Sequence, residues 1–141
     1  MDRLLAISIR QPWLDMIIRG FKIIELRSWE MRERGTIALH APKRIDFGAA
    51  YLYGYAQPWL LPTGQIIALA DVVDVVSLDR VSWCEKVIEH RQPVPAGEAY
   101  GIKLGNVRIL KRPVAHRGHQ MMFPLNEDVV ARVRKVALDR E

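Results

Sequence analysis

The chain has one cysteine, Cys84, among its 141 residues. No internal disulfide is therefore possible, which fits a reducing cytosol, and a cytoplasmic location is the expectation. Long apolar runs are also missing. The longest are segments such as IIALA before Asp71, far short of the ~20 residues that a bilayer-crossing helix needs, so no membrane is expected among the partners. The N-terminus has no basic-then-apolar leader with a small-residue cleavage site. There is no GxSxG elbow, no P-loop, no internal repeat and no low-complexity stretch. Acid is absent from one whole segment. Between Gly101 and Gln120 stand five Lys/Arg and two histidines with no Asp or Glu.

What is present suits a single domain over residues 1–141. Half the residues are apolar, enough to bury a core, and 26% are charged. The net charge is +5, concentrated at the two ends of the chain. Residues 1–50 carry nine Lys/Arg against six acids, 51–100 three against six, and 101–141 nine against four. A basic surface of this kind attracts polyanions through counterion release, independently of sequence.

The most informative stretch is GFKIIELRSW, Gly20–Trp29. Read with period 2, Ile24 and Leu26 face a core while Glu25 and Arg27 share the other face, about 7 Å apart. Trp29 falls on the same parity as the charged pair. Lys22 follows the point where a helix hands over to the strand, so its side chain is expected to hang over the mouth of that surface. The alternative is an ordinary exposed Glu25–Arg27 pair worth under about 1 kcal/mol.

Around it, Leu4–Ile9 reads as a first strand. Pro12 opens a short helix with Trp13, Met16 and Ile17 on one stripe, closed by Gly20. Gln11 and Trp13 lie at that helix start. Thr36–Ala41 reads as a strand with His40 near its end, beside the basic corner Lys43–Arg44. Ile45–Tyr55 suits a surface helix and Gln57–Gly64 a loop. Gln65–Leu78, apolar on both faces, should be central to the sheet. A helix is expected from Asp79 to about His90, carrying Cys84 on its apolar stripe, then a loop with Pro93, Pro95 and Gly97. Tyr100–Leu104 and Val107–Leu110 read as two strands around a tight Gly105-Asn106 turn. Lys111–Gln120 follows as a basic loop, Met121–Leu125 as a last strand, and Glu127–Asp139 as a helix. About six strands with inserted helices favour an α+β fold built on a small mixed barrel; a parallel α/β sheet is the alternative.

Among candidate sites, His116 and His119 form an HxxH, but Arg112 and Arg117 beside them repel cations, so no metal or other cofactor is expected. His40 reads either as a satisfied polar residue or as a base. Asp71 and Asp74 read as general bases or as hydrogen-bonded structural carboxylates. Trp13, Trp59 and Trp83 read as core. Trp29, beside cationic groups, is placed to stack a base.

These segments together resemble the ASCH (activating signal cointegrator homology) domains. The resemblance rests on SIRQPWLDMIIRGFKIIELRSW, RGTIALHA, GQIIALADVVDV, AYGIKLGNVRIL and PVAHRGHQ, in that order. Its most specific part is QPW followed by G-x-K-x-x-E-x-R-S-W ending at Trp29. It implies a β-barrel similar to the PUA fold, helices flanking the barrel, and a cleft that binds RNA or a modified nucleotide. The stacking argument at Trp29 adds single-stranded DNA to the expected partners. The signature falls on Gly20, Lys22, Glu25 and Arg27. The expected binding set is Gln11, Trp13, Lys22, Glu25, Arg27, Ser28, Trp29 and His40, with Arg108, Lys111, Arg112 and Arg117 holding the backbone.

Some small bacterial members are amidohydrolases of N4-acetylcytidine, using a lysine, a threonine three residues later and a glutamate. Here Lys22 is followed at that spacing by Glu25 rather than threonine. The enzymatic alternative therefore has Lys22 as an electrophilic or proton-transferring group and Glu25 as the base that activates water. An adaptor role in a transcription or translation assembly is the third expectation.

Overall fold

A computed structural model describes residues 3–78, Glu89, Arg91 and residues 99–138. The helix expected from Asp79, with Trp83 and Cys84, and the proline-containing loop after it lie outside the described residues. Six strands form one mixed sheet: β1 (Leu5–Ser8), β2 (Ile24–Arg27), β3 (Gly35–Ala41), β4 (Gln65–Leu78), β5 (Ala99–Ala115) and β6 (Met122–Pro124), in the order β2-β5-β4-β3-β1-β6. Among the described residues, β1 and β3 pair in parallel and the other strand pairings are antiparallel. The fold is α+β, and β4 is central as its two-faced apolarity requires.

Among the described residues, the continuous α-helices are α1 (Trp13–Ile18), α2 (Phe47–Leu52) and α3 (Glu127–Leu138). Gly20, at φ +82°, ends the turn after α1 in a conformation a side chain would strain. Asp46 caps α2 by accepting from Ala49 N at 3.0 Å, and Asn126 caps α3 by accepting from Val129 N at 2.9 Å.

Alternation along each strand splits the core into two layers. Ile7, Ile9, Ile37 and Leu39 join Trp13, Leu14, Met16 and Ile17 of α1 on one side. Leu4, Ala6 and Ala38 join Val129, Val133 and Val136 of α3 on the other. Gly101 lets β2 lie close, since a Cβ there would sit 2.8 Å from Ile24 Cγ2.

The sheet is curled. In a flat sheet β2 and β1 would lie four strand spacings apart, about 19 Å, yet the Arg27 guanidinium on β2 donates to the carbonyl of Ser8 on β1. Bulges along β4 and β5 supply the bending: register slips between Ile66 and Ala68, Leu69 and Asp71, and Val72 and Asp74.

The expected Gly105-Asn106 hairpin is not formed. Ala99–Ala115 is one continuous 17-residue strand. Asn106 takes φ +49° inside it, in the bulge where Gly105 pairs with Asp71 and Arg108 with Leu69. The left-handed residue adds a kink rather than a reversal, because the 14-residue β4 offers partners on both sides of it. Lys111–Ala115 consequently belongs to β5, and the basic loop begins only at His116.

Candidate functional site

The signature residues form a buried charged cluster rather than an open surface. After α1 the chain turns back, with Phe21 N and Lys22 N both donating to Met16 O, at 2.9 and 3.2 Å. This sends the Lys22 side chain inward, and the residue is 0% exposed. It does not hang over a cleft mouth. Its Nζ lies 3.7 Å from Glu25 Oε1 and 5.5 Å from the Trp13 ring centroid. Burial pushes the Lys22 ammonium down from 10.5 to about 8, partly offset by the Glu25 carboxylate and reinforced by Arg27.

Glu25 is 7% exposed, so it does not form an ordinary surface pair. Its other oxygen, Oε2, meets Arg27 Nη2 at 3.0 Å, and that same nitrogen reaches the Ser8 carbonyl. Arg27 Nε is a buried donor without an acceptor among the described residues. Ile24 is buried opposite, as the parity required, whereas Leu26 is half-buried against Leu78 and Ala99.

Ser8 carries the cluster through to a groove of about 510 Å³ lined by Ser8, His40, Lys43, Arg44, His116, Arg117 and His119, with no acidic residue in its lining. His40 is fully buried at its floor. Its Nε2 donates to His116 O at 2.6 Å, which leaves Nδ1 to accept from Ser8 Oγ at 2.9 Å. Burial, the largest cause, together with the nearby His116 and His119 rings, lowers the His40 pKa below 6.5; the bond to His116 O works against this. Phe123 backs the three histidines, its ring 4.8 Å from His119, 5.7 Å from His116 and 6.1 Å from His40.

The other expected residues scatter. Gln11 is a buried structural tie, donating to Pro62 O at 3.1 Å and accepting from Asp15 N at 2.8 Å. Trp13 is core and meets Tyr53 edge-on at 5.8 Å. Strand β2 ends at Arg27, so the parity argument stops short of Trp29, which packs half-buried against the first core layer; Ser28 is exposed. Trp59, expected in the core, is exposed on the short 3-10 turn Pro58–Leu60.

Arg108 is held away from the groove, near the start of β3, where it donates to Asp71 Oδ1 at 3.2 Å, Thr36 Oγ1 at 3.3 Å and Asn106 O at 2.8 Å. Asp71 also accepts from Thr36 Oγ1 at 2.8 Å and Asn106 Nδ2 at 3.0 Å, and these bonds hold its pKa down. It is a structural carboxylate. Lys111 and Arg112 are exposed on β5, and only Arg117 of the four basic residues lines the groove. No group of three or more His, Cys, Asp or Glu among the described residues is placed to hold a metal ion. Sequence reasoning missed Ser8 and the Lys43–Arg44 corner as site residues. The basic character of that corner was visible, but its meeting with residues 116–119 depends on long-range folding.

The sequence profile of the ASCH domain matches residues 7–132. Among solved structures, the fold is similar to that of ASCH from Zymomonas mobilis, with a TM-score of 0.69 at 14% identity over 94% of each chain. A tyrosine-to-phenylalanine variant of that protein superposes with a TM-score of 0.70, again at 14% identity, over 96% of this chain and 99% of that one. No curated protein gives a significant sequence match.

Proposed function

This chain belongs to the ASCH domain family, and on that premise we propose that it binds single-stranded RNA or a nucleotide in the groove between Ser8–His40 and the Lys43–Arg44 and His116–His119 segments. Domains of this family have a PUA-like fold and are often RNA-binding. The observation that carries the reading for this chain is the groove lining: three cations (Lys43, Arg44, Arg117), the His116 and His119 rings, and no acid. The cations meet phosphates, and the rings stack on bases exposed in a single strand. The Lys22–Glu25–Arg27 cluster acts from behind, fixing Ser8 through its carbonyl rather than touching the ligand.

The amidohydrolase reading is less well supported. The Lys22 pKa near 8 suits proton transfer, but the residue is inaccessible and Glu25 spends both oxygens on Lys22 and Arg27. Acetate release from N4-acetylcytidine should be slow or absent.

The test is fluorescence anisotropy of a labelled mixed-sequence oligoribonucleotide across a salt series. A single-stranded DNA of the same sequence serves as the comparison arm. Affinity should fall steeply with salt, and Lys43→Ala, Arg44→Ala and Arg117→Ala should each flatten the log–log slope by about 0.7, the single-strand value per phosphate contact. Arg108→Ala should leave the slope unchanged. Absence of binding at about 50 mM salt, or a slope indifferent to all three groove substitutions, refutes the reading.

A further inference from the structure

We propose that Ser8 and His40 form a nucleophile–base dyad at the floor of the groove, which hydrolyses a carboxylic ester carried on a phosphate-bearing molecule. The anionic part of that substrate rests on the binding reading above; the dyad itself does not.

The pair is built by the parallel pairing of β1 with β3. Ser8 of β1 and His40 of β3 are register partners, so their side chains leave the same face side by side. The Ile9 N–H donates to the His40 carbonyl at 2.8 Å and fixes that register locally. The protonation pattern then follows from one acceptor. The His116 carbonyl can only accept, so His40 Nε2 carries the proton and Nδ1 presents its lone pair to the Ser8 hydroxyl at 2.9 Å. Nucleophile, base and an acceptor that orients the base occur here in sequence, the arrangement that activates a serine.

Ser8 is half-buried and opens into the groove, so its Oγ is reachable. The groups facing the dyad are His116, Arg117 and His119 from the following loop, Lys43 and Arg44 beyond β3, and the Arg27 guanidinium on the Ser8 carbonyl. All are basic. They favour an anionic substrate. Burial, together with the His116 and His119 rings, keeps the His40 pKa below the ordinary histidine value, so its Nδ1 is free to accept a proton at pH 7. The loop backbone passes over the pair at Gly118, where a Cβ would lie 3.1 Å from both Ser8 Oγ and His40 Cε1. A side chain at this position would crowd the hydroxyl and the imidazole.

The step balances without any co-reactant but water. Ser8 Oγ bonds to the ester carbon as its proton passes to His40 Nδ1. The carbon–oxygen bond to the alcohol then breaks, and the departing oxygen takes the proton from Nδ1. Water adds to the acyl-serine with Nδ1 taking its proton; the carboxylic acid leaves and Ser8 Oγ is reprotonated.

The test begins with the unmodified protein and a fluorophosphonate probe, the adduct being located by peptide mass spectrometry. Labelling is expected at Ser8 and absent in Ser8→Ala. It should fall about 100-fold in His40→Asn, the scale of general-base assistance. Gly118→Ala should suppress it without altering either member of the pair, and keeps the comparison decisive if His40→Asn fails to fold. No adduct at Ser8 in the wild type, or wild-type labelling in a folded His40→Asn or in Gly118→Ala, overturns the dyad in favour of a purely structural Ser8–His40–His116 tie.

Ester turnover is then compared for 3′-O-acetyl adenosine 5′-monophosphate and 3′-O-acetyl adenosine. A preference of about tenfold or more for the phosphorylated ester, lost in Arg117→Ala, supports the anionic specificity at the scale of about one desolvated charge contact. Equal turnover of the two overturns that specificity, and with it the basic-groove reading, while Ser8 labelling still stands. Salt-dependent RNA binding without Ser8 labelling separates the two the other way.

Discussion

Lys22 provides the most direct test of the electrostatic reasoning, because its burial makes stability depend on pH in an unusual direction. A surface lysine titrates near 10.5 in folded and unfolded states alike; Lys22 titrates near 8 in the fold. Between those values the unfolded chain holds a proton that the folded chain has lost, so stability rises with pH across the window. Below pH 8 the ammonium is charged and buried, and its desolvation cost is present in full. Each pH unit of the window is worth about 1.4 kcal/mol, so complete relief amounts to about 3 kcal/mol. Tyr55 works against this only above pH 10: burial and its hydrogen bond to Asp15 raise its pKa, and it resists an ionisation that the unfolded chain undergoes. The clean interval is therefore pH 8 to 10.

Urea unfolding at pH 7, 8, 9 and 10 reads the effect. With a slope of about 2 kcal/mol per molar, the midpoint should move upward by about 1 M over the interval at constant slope. Approach to the isoelectric point also reduces self-repulsion in this basic chain, whose sequence pI is about 9.7. Lys22→Met shares that background but lacks the buried amine. It keeps the Glu25–Arg27 pair and should show at most a shallow pH dependence, with stability at pH 7 equal to or above that of the wild type. A wild-type midpoint that is flat or falling from pH 8 to 10, or a Lys22→Met profile parallel to it, would refute the burial argument.

Glu25→Ala should be strongly destabilising, by about 3 kcal/mol at pH 7, since it leaves two cations packed together; Lys22 limits the loss by shedding its proton, and the midpoint deficit should shrink at pH 9. His40 acts at the acid end of the scale. Its pKa lies below 6.5 in the fold, so the unfolded chain binds the extra proton first and stability should decline as the pH drops below about 6.5. The His40 ring-proton shifts in an NMR titration should move at a pH below that of a model histidine, and a midpoint at or above 6.5 would contradict its burial.

Much of the frame was legible in the sequence. Pro12 and Gly20 bracket α1 because one lacks a donor the first turn leaves unpaired and the other tolerates a positive φ. The two-faced apolarity of Gln65–Leu78 marked the central strand. The parity of Ile24 against Glu25 and Arg27 separated core from cluster, since a period of 2 is a purely local property. The valines of Glu127–Leu138 likewise announced the buried side of α3. The resemblance to ASCH domains agrees with the family profile that matches residues 7–132.

Tertiary structure decided whatever depended on a partner distant in sequence. Whether Gly105-Asn106 reverses the chain or bulges within it turned on the length of β4, which pairs across both sides of the bulge. Lys22 is buried because the turn after Gly20 directs it beneath Trp13, and no periodicity counts through a turn. Arg108 and Arg117 are alike in sequence, yet Asp71 and Thr36 hold the first near the start of β3 while the second lines the groove at the other end of that strand. Ser8 and His40, 32 residues apart, meet only because β1 and β3 lie parallel in one register. Local patterns fix which way a side chain points along its own strand. Register and curl, set by long-range burial, fix what it then faces.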